Sequence, residues 1–195
     1  MHKAVTVALF AGLLAVISVG CSAEPDARVG DPGEQVDVGF ELTSPAFERE
    51  NSIPSRYIRS GVTGAENISI PYEWTRAPEG TKSFALVLID VHPAARQWTH
   101  WMVVDIPADI SSLVEGASKT AMPQGSRELS NSFDEVGYGG PEPPVGSGPH
   151  AYLAIIYALD IERLDVADDA GLNDVRRAMG GHVLAQASFR GVFER

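Results

Sequence analysis

The chain has 195 residues, 44% hydrophobic and 21% charged, a balance that lets a soluble protein bury one core with some material left over. Its formal net charge is -11 at pH 7, which argues against nucleic acid as a partner, because phosphate backbones attract Lys and Arg surfaces. Any anion bound here must be held by local donors acting against the field of the whole protein.

The N-terminus reads as a targeting segment. Lys3 supplies a positive start and Ala4 to Val19 is an almost unbroken apolar run, too short for a comfortable membrane span. It ends in Ser18-Val19-Gly20-Cys21, and Cys21 is the chain's single cysteine. Small residues before such a Cys resemble a bacterial lipobox, with lipid attached at Cys21, although Ser18 stands where a large aliphatic residue is usual. An ordinary signal cleaved after Ala23 is the other reading. The expected organisation is a signal peptide over 1–20, a flexible acidic tether over 21–35, and one domain over 36–195. The tether is Glu, Asp, Pro and Gly with almost no large apolar residue, so it cannot offset its own ordering entropy. On this reading the protein is exported and anchored on the outer side of a bacterial membrane.

Alternation with period two predicts a half-buried strand over Val36–Leu42. Further strands are expected over Asn67–Trp74, Ser83–Asp90, Trp98–Ile106, Tyr152–Leu159 and Ala187–Phe193. Within the third of these six, Phe84–Ile89 is too uniformly apolar to face water. A long Gly/Pro loop runs from Gly137 to Pro149. One helix is expected, capped at Asn173 or a near neighbour, with Val175, Ala178, Met179, His182 and Val183 on its apolar stripe. His182 then reads as structural. Strands outnumber helices, so the predicted fold class is mostly β, an antiparallel β-sandwich with a few peripheral helices.

Polar residues recur where buried strands meet loops. Phe84–Ile89 runs into Asp90-Val91-His92-Pro93, Trp98-Thr99-His100-Trp101 opens the next strand, and Gly148-Pro149-His150 feeds a third. Imidazole N–H groups, a carboxylate that orients them and glycine-rich backbone suit a small-anion site. An adjacent acid would favour imidazolium and strengthen that binding. Trp98, Tyr138 and Tyr152 can supply walls. Asp90, His92, His100 and His150 are also metal-ligand types, but no HxH or HExxH spacing supports a metal. No GxSxG elbow, P-loop or Rossmann glycine motif occurs, so neither catalysis nor a cofactor is expected.

Several short motifs in order then carry a resemblance over about Val36 to Phe193. They include Phe40-Glu-Leu-Thr-Ser-Pro-Ala-Phe47, Asn67-Ile-Ser-Ile-Pro71, Trp98-Thr-His-Trp101, Gly137-Tyr-Gly-Gly-Pro141 and Gly148-Pro-His-Ala-Tyr152. The sequence resembles the phosphatidylethanolamine-binding protein family, in its bacterial Raf-kinase-inhibitor-like branch. The resemblance implies a β-sandwich whose surface pocket binds phosphate-like anions or phospholipid head groups, without catalytic activity. It places the pocket acid on Asp90, the pocket histidines on His100 and His150, and lining residues on Trp98, Gly140, Pro141 and Tyr152. It is compatible with a homodimer and with an inhibitory role toward a protein partner. Two positions depart from the family pattern: His92 stands where a second acid is usual, and Ala151 where an arginine is usual. His92 joins the candidate ligand-binding residues for that reason.

Overall fold

The computed structural model describes residues 39–195. The expected signal segment, Cys21, the tether and residues 36–38 of the first expected strand lie outside the described residues.

Among the described residues eight strands form two sheets: β1 (Glu41–Thr43), β2 (Tyr72–Thr75), β3 (Ser83–Asp90), β4 (Trp98–Pro107), β5 (Ser112–Leu113), β6 (Arg127–Glu128), β7 (His150–Leu159) and β8 (Val183–Phe193). The small sheet has the order β1-β2-β5 and the large one β6-β4-β3-β7-β8, with every pairing between strands antiparallel. The mostly β sandwich expected from the sequence is the fold observed.

The uniform apolarity of β3 has a direct cause. Side chains alternate between faces along a strand. Phe84, Leu86 and Leu88 enter the core between the sheets, with Trp74, Trp101, Tyr152 and Phe189. Ala85, Val87 and Ile89 enter a second core, with Met102, Leu159, Leu164, Val175 and Met179. Both faces are dry, and each of these buried side chains larger than Ala85 contributes roughly 1.5–3 kcal/mol.

The second core is closed by α1 (Leu172–Met179) and by the loop before it. That loop is tied down by Arg127, whose Nε donates to buried Asp105 at 2.7 Å while its Nη atoms donate to the Val166 and Leu164 carbonyls at 2.9 and 3.0 Å. The helix begins after Gly171, not at an Asn173 cap, and Asp174 reaches back to accept from the Gly171 N–H at 3.2 Å. It ends before Gly180, and Gly181 adopts φ 83°, which a continuing helix forbids. His182 and Val183 are therefore not on its stripe. His182 is half-exposed, with Nδ1 on Asp160 Oδ1 at 2.8 Å, and Val183 opens β8.

Expected strand Asn67–Trp74 shortens at its start to β2. Asn67 sits at φ 55° and donates its N–H to Ile58, so this part of the chain turns before it pairs. β5 and β6, two residues each, are too short to leave a period.

Candidate functional site

Three strands bring the site together in register. Asp90, the last residue of β3, lies opposite Trp98 on β4 and Tyr152 on β7. His100 arrives differently. Leu88 pairs with Trp101 and Ile89 with Thr99, so the β4 register shifts and His100 is the extra, unpaired residue of a bulge. Bulges re-aim side chains, and this one places His100 edge-on to Tyr152, with ring centroids 5.1 Å apart.

A cavity of about 270 Å³ opens there, small enough for a head group or simple oxyanion. Of the expected residues, Asp90, Trp98, His100, His150 and Tyr152 line it. Ala94, Ala95, Phe133 and the Glu142-Pro143-Pro144 run complete the wall. Phe133 meets Trp98 and His100 edge-on, at 5.4 and 5.6 Å, and Arg59 caps its outer face at 4.0 Å. The sequence reading missed Phe133 because nothing local marks it; only the loop folding back onto β4 brings it in.

The polar groups divide into spent and free. Asp90 is 4% exposed; its Oδ2 accepts from His150 Nδ1 at 2.5 Å and its Oδ1 from the His92 backbone N–H at 2.8 Å. His150 Nε2 lies 3.0 Å from Ser147 Oγ, so both of its ring nitrogens are engaged within the protein. Glu142 is matched by Arg59 at 3.4 Å, by Arg195 at 3.6 Å and by the Ser60 hydroxyl.

His100 is 2% exposed, and its Nδ1 donates to the Gly139 carbonyl at 2.7 Å. A carbonyl accepts, so Nδ1 carries the proton. Burial drives the His100 pKa down to about 4, against opposing pulls from the Gly139 carbonyl, Asp90 and the Gly140 carbonyl. The ring is therefore neutral at pH 7 in the empty cavity, with its Nδ1 proton given to Gly139 rather than to the cavity. The Tyr152 hydroxyl is buried with no hydrogen-bond partner, and burial holds its proton on well above the usual phenol range.

His92 does not line the cavity. Its ring stacks on His150, with centroids 3.9 Å apart and planes 18° from parallel, and its Nδ1 accepts from the Ala94 N–H at 3.3 Å. His92 thus backs His150 and caps the short turn Pro93–Ala95 that supplies Ala94 and Ala95 to the wall. Gly140 and Pro141 also fall outside the lining. The Gly140 N–H donates to Asn67 Oδ1 at 2.7 Å, and the Pro141 carbonyl accepts from the Arg59 N–H at 3.1 Å. They fix the loop's path and leave the wall to the residues after them. Ala151 lies on the face of β7 opposite to His150 and Tyr152, so an arginine there would also point away from them.

Among the described residues no cluster of three or more His, Cys, Asp or Glu is arranged to hold a metal. No described helix is long and apolar enough to cross a membrane.

The family model described as phosphatidylethanolamine-binding protein matches residues 43–194. A UPF0098 protein of Aquifex aeolicus is 38% identical over 156 residues, covering 80% of this chain and 89% of that one. The UPF0098 protein YbhB of Escherichia coli is 37% identical, covering 79% and 99%. The crystal structure of E. coli YbcL, described as a new member of the mammalian PEBP family, superposes with a TM-score of 0.74 at 32% identity, covering 80% of this chain and 98% of that one.

Proposed function

This chain belongs to the phosphatidylethanolamine-binding protein family, and from that premise we propose that its cavity receives a small phosphate-like oxyanion or a phospholipid head group without transforming it. One observation carries the reading: beside an aromatic wall, the buried Tyr152 hydroxyl has no hydrogen-bond partner in the protein. Buried polar groups are nearly always satisfied, and a ligand oxygen accepting from this one would satisfy it. Both lining carboxylates are already matched within the protein, so they repel an anion less than the net charge suggests.

Export and lipid attachment at Cys21 belong to the same proposal, supported by the apolar run that precedes this single cysteine. Isothermal titration of phosphate, acetate and phosphoethanolamine into the protein tests the binding function. Heat from at least one is expected; no heat from any of the three overturns it.

A second reading, an interaction surface that regulates a partner enzyme, draws on Trp98, 41% exposed at the cavity wall. Partner capture lost in Trp98→Ala but kept when an anion fills the cavity would favour it.

A further inference from the structure

Ser147 touches two residues of the cavity wall, His150 and Pro144, in an arrangement that anion binding leaves unused. Its Oγ lies 3.0 Å from His150 Nε2, and His150 Nδ1 lies 2.5 Å from Asp90 Oδ2. A carboxylate accepts, so the imidazole proton sits on Nδ1 and Nε2 turns its lone pair toward the serine hydroxyl. The ring is held in that orientation. The His92 ring stacks on it at 3.9 Å, and the other Asp90 oxygen is fixed by the His92 N–H. Acid to imidazole to hydroxyl is the order of contacts that makes a serine a nucleophile. The Ser147 hydroxyl also reaches the Pro144 carbonyl at 2.6 Å, but an imidazole is a far stronger base than an amide oxygen. Gly146 and Gly148 flank the serine at φ 76° and 82°, with nothing within 4 Å of an added Cβ at either, so the turn stands open to an approaching molecule. The Gly148 N–H has no partner among the described residues.

We propose that Ser147, His150 and Asp90 act as nucleophile, base and positioning acid in acyl transfer, on a small carboxylic ester whose acyl chain enters the cavity. Ser147 Oγ adds to the ester carbonyl as its proton passes to His150 Nε2. The bond from the acyl carbon to the alcohol oxygen breaks, and the leaving alcohol takes that proton. Water then attacks the acyl carbon on Ser147 and gives a proton to His150. The carboxylic acid departs and the proton returns to Ser147 Oγ, so one ester and one water yield one acid and one alcohol. The Gly148 N–H, next after the nucleophile, donates to the carbonyl oxygen as negative charge develops there. Ala94, Ala95, Trp98, Phe133 and Pro144 give a cavity of about 270 Å³ a wall that suits a short apolar acyl chain. The step goes beyond the anion reading and does not rest on it: an inorganic oxyanion in the cavity has no acyl carbon and is left unchanged.

The test treats the full chain, Ser147→Ala and Asp90→Asn with p-nitrophenyl acetate and with an alkyl fluorophosphonate, whose phosphorus bonds to the serine oxygen as fluoride leaves. The expected result is a stoichiometric burst of p-nitrophenol and, by peptide mass spectrometry, both adducts on Ser147. Ser147→Ala removes one hydroxyl from an open turn, so its melting temperature stays near that of the wild type while burst and adducts are lost. Asp90→Asn, assayed below its own melting temperature, lowers kcat and the rate of fluorophosphonate labelling with KM little changed, which loss of folded protein alone would not do. No adduct on Ser147, or a burst undiminished in Ser147→Ala, overturns the proposal and leaves the anion reading standing. Labelling of Asp90→Asn as fast as the wild type overturns the triad, because the serine would then react without its acid.

Discussion

Asp90 and His150 are 60 residues apart in sequence and meet at 2.5 Å, both almost fully buried, with the His92 ring stacked on the face of the imidazole. This pair joins the end of β3 to the start of β7 and so fixes the shape of the cavity between them.

Removing one partner of a buried hydrogen-bonded pair leaves the other unsatisfied. Asp90→Asn keeps an oxygen for the His92 N–H but turns an amide toward His150. The expected loss is about 1–3 kcal/mol of folding stability, read as a lowered urea midpoint at unchanged slope. A midpoint like that of the wild type would show that the pair contributes nothing net.

His100 makes stability depend on pH. Its ordinary pKa of 6.5 falls to about 4 in the fold, so between those values the unfolded chain binds more protons. Stability therefore rises with pH through this window, is level above it, and is lost as pH falls toward 4. Between pH 7 and pH 4.5 this single group accounts for about 2 kcal/mol. His100→Asn, whose amide can still donate to Gly139, should narrow the difference between urea midpoints at those two pH values. An unchanged difference would mean that the ring is not held neutral by burial.

Gly140 is required for contact and not for backbone conformation. A Cβ there would lie 2.2 Å from the Tyr57 carbonyl oxygen and 2.7 Å from the Arg59 nitrogen, both backbone atoms. Gly140→Ala should cost about 1–3 kcal/mol by overpacking and should displace the Glu142–Pro144 wall. Gly146, at φ 76° with nothing within 4 Å of an added Cβ, isolates the conformational term. Gly146→Ala should cost about 1 kcal/mol or slightly more. Thermal melts of the two variants check the order; equal losses would contradict it.

Much of this was legible because β3 is a continuous apolar run bounded by Ser83 and Asp90, and its bounds emerge unchanged. The meeting of Asp90, His100 and His150 was readable only as three strand ends that each carry a polar residue. Their convergence depends on antiparallel register, which no single segment encodes. The bulge at His100 was hidden because alternation around Trp98-Thr-His-Trp101 reads equally well with or without an extra residue. Hydrogen-bond direction was hidden too. An acid nearby suggested a charged imidazole, but complete burial outweighs Asp90 at His100. Phe133 and Ala94 come from loops whose path is set by Asn131 accepting from the Phe133 N–H and by His92 accepting from the Ala94 N–H.

The central claim is that the cavity bordered by Asp90, His100, His150 and Tyr152 holds a phosphate-like anion. Chemical-shift mapping during a phosphate titration at pH 5 tests it most directly, on the wild type and on Ala95→Phe, which fills the cavity from its rim. The account predicts saturable shifts concentrated at Trp98, His100, His150 and Tyr152 in the wild type, and their loss in Ala95→Phe. Shifts centred elsewhere, no shifts, or saturation undiminished in the filled variant would contradict it.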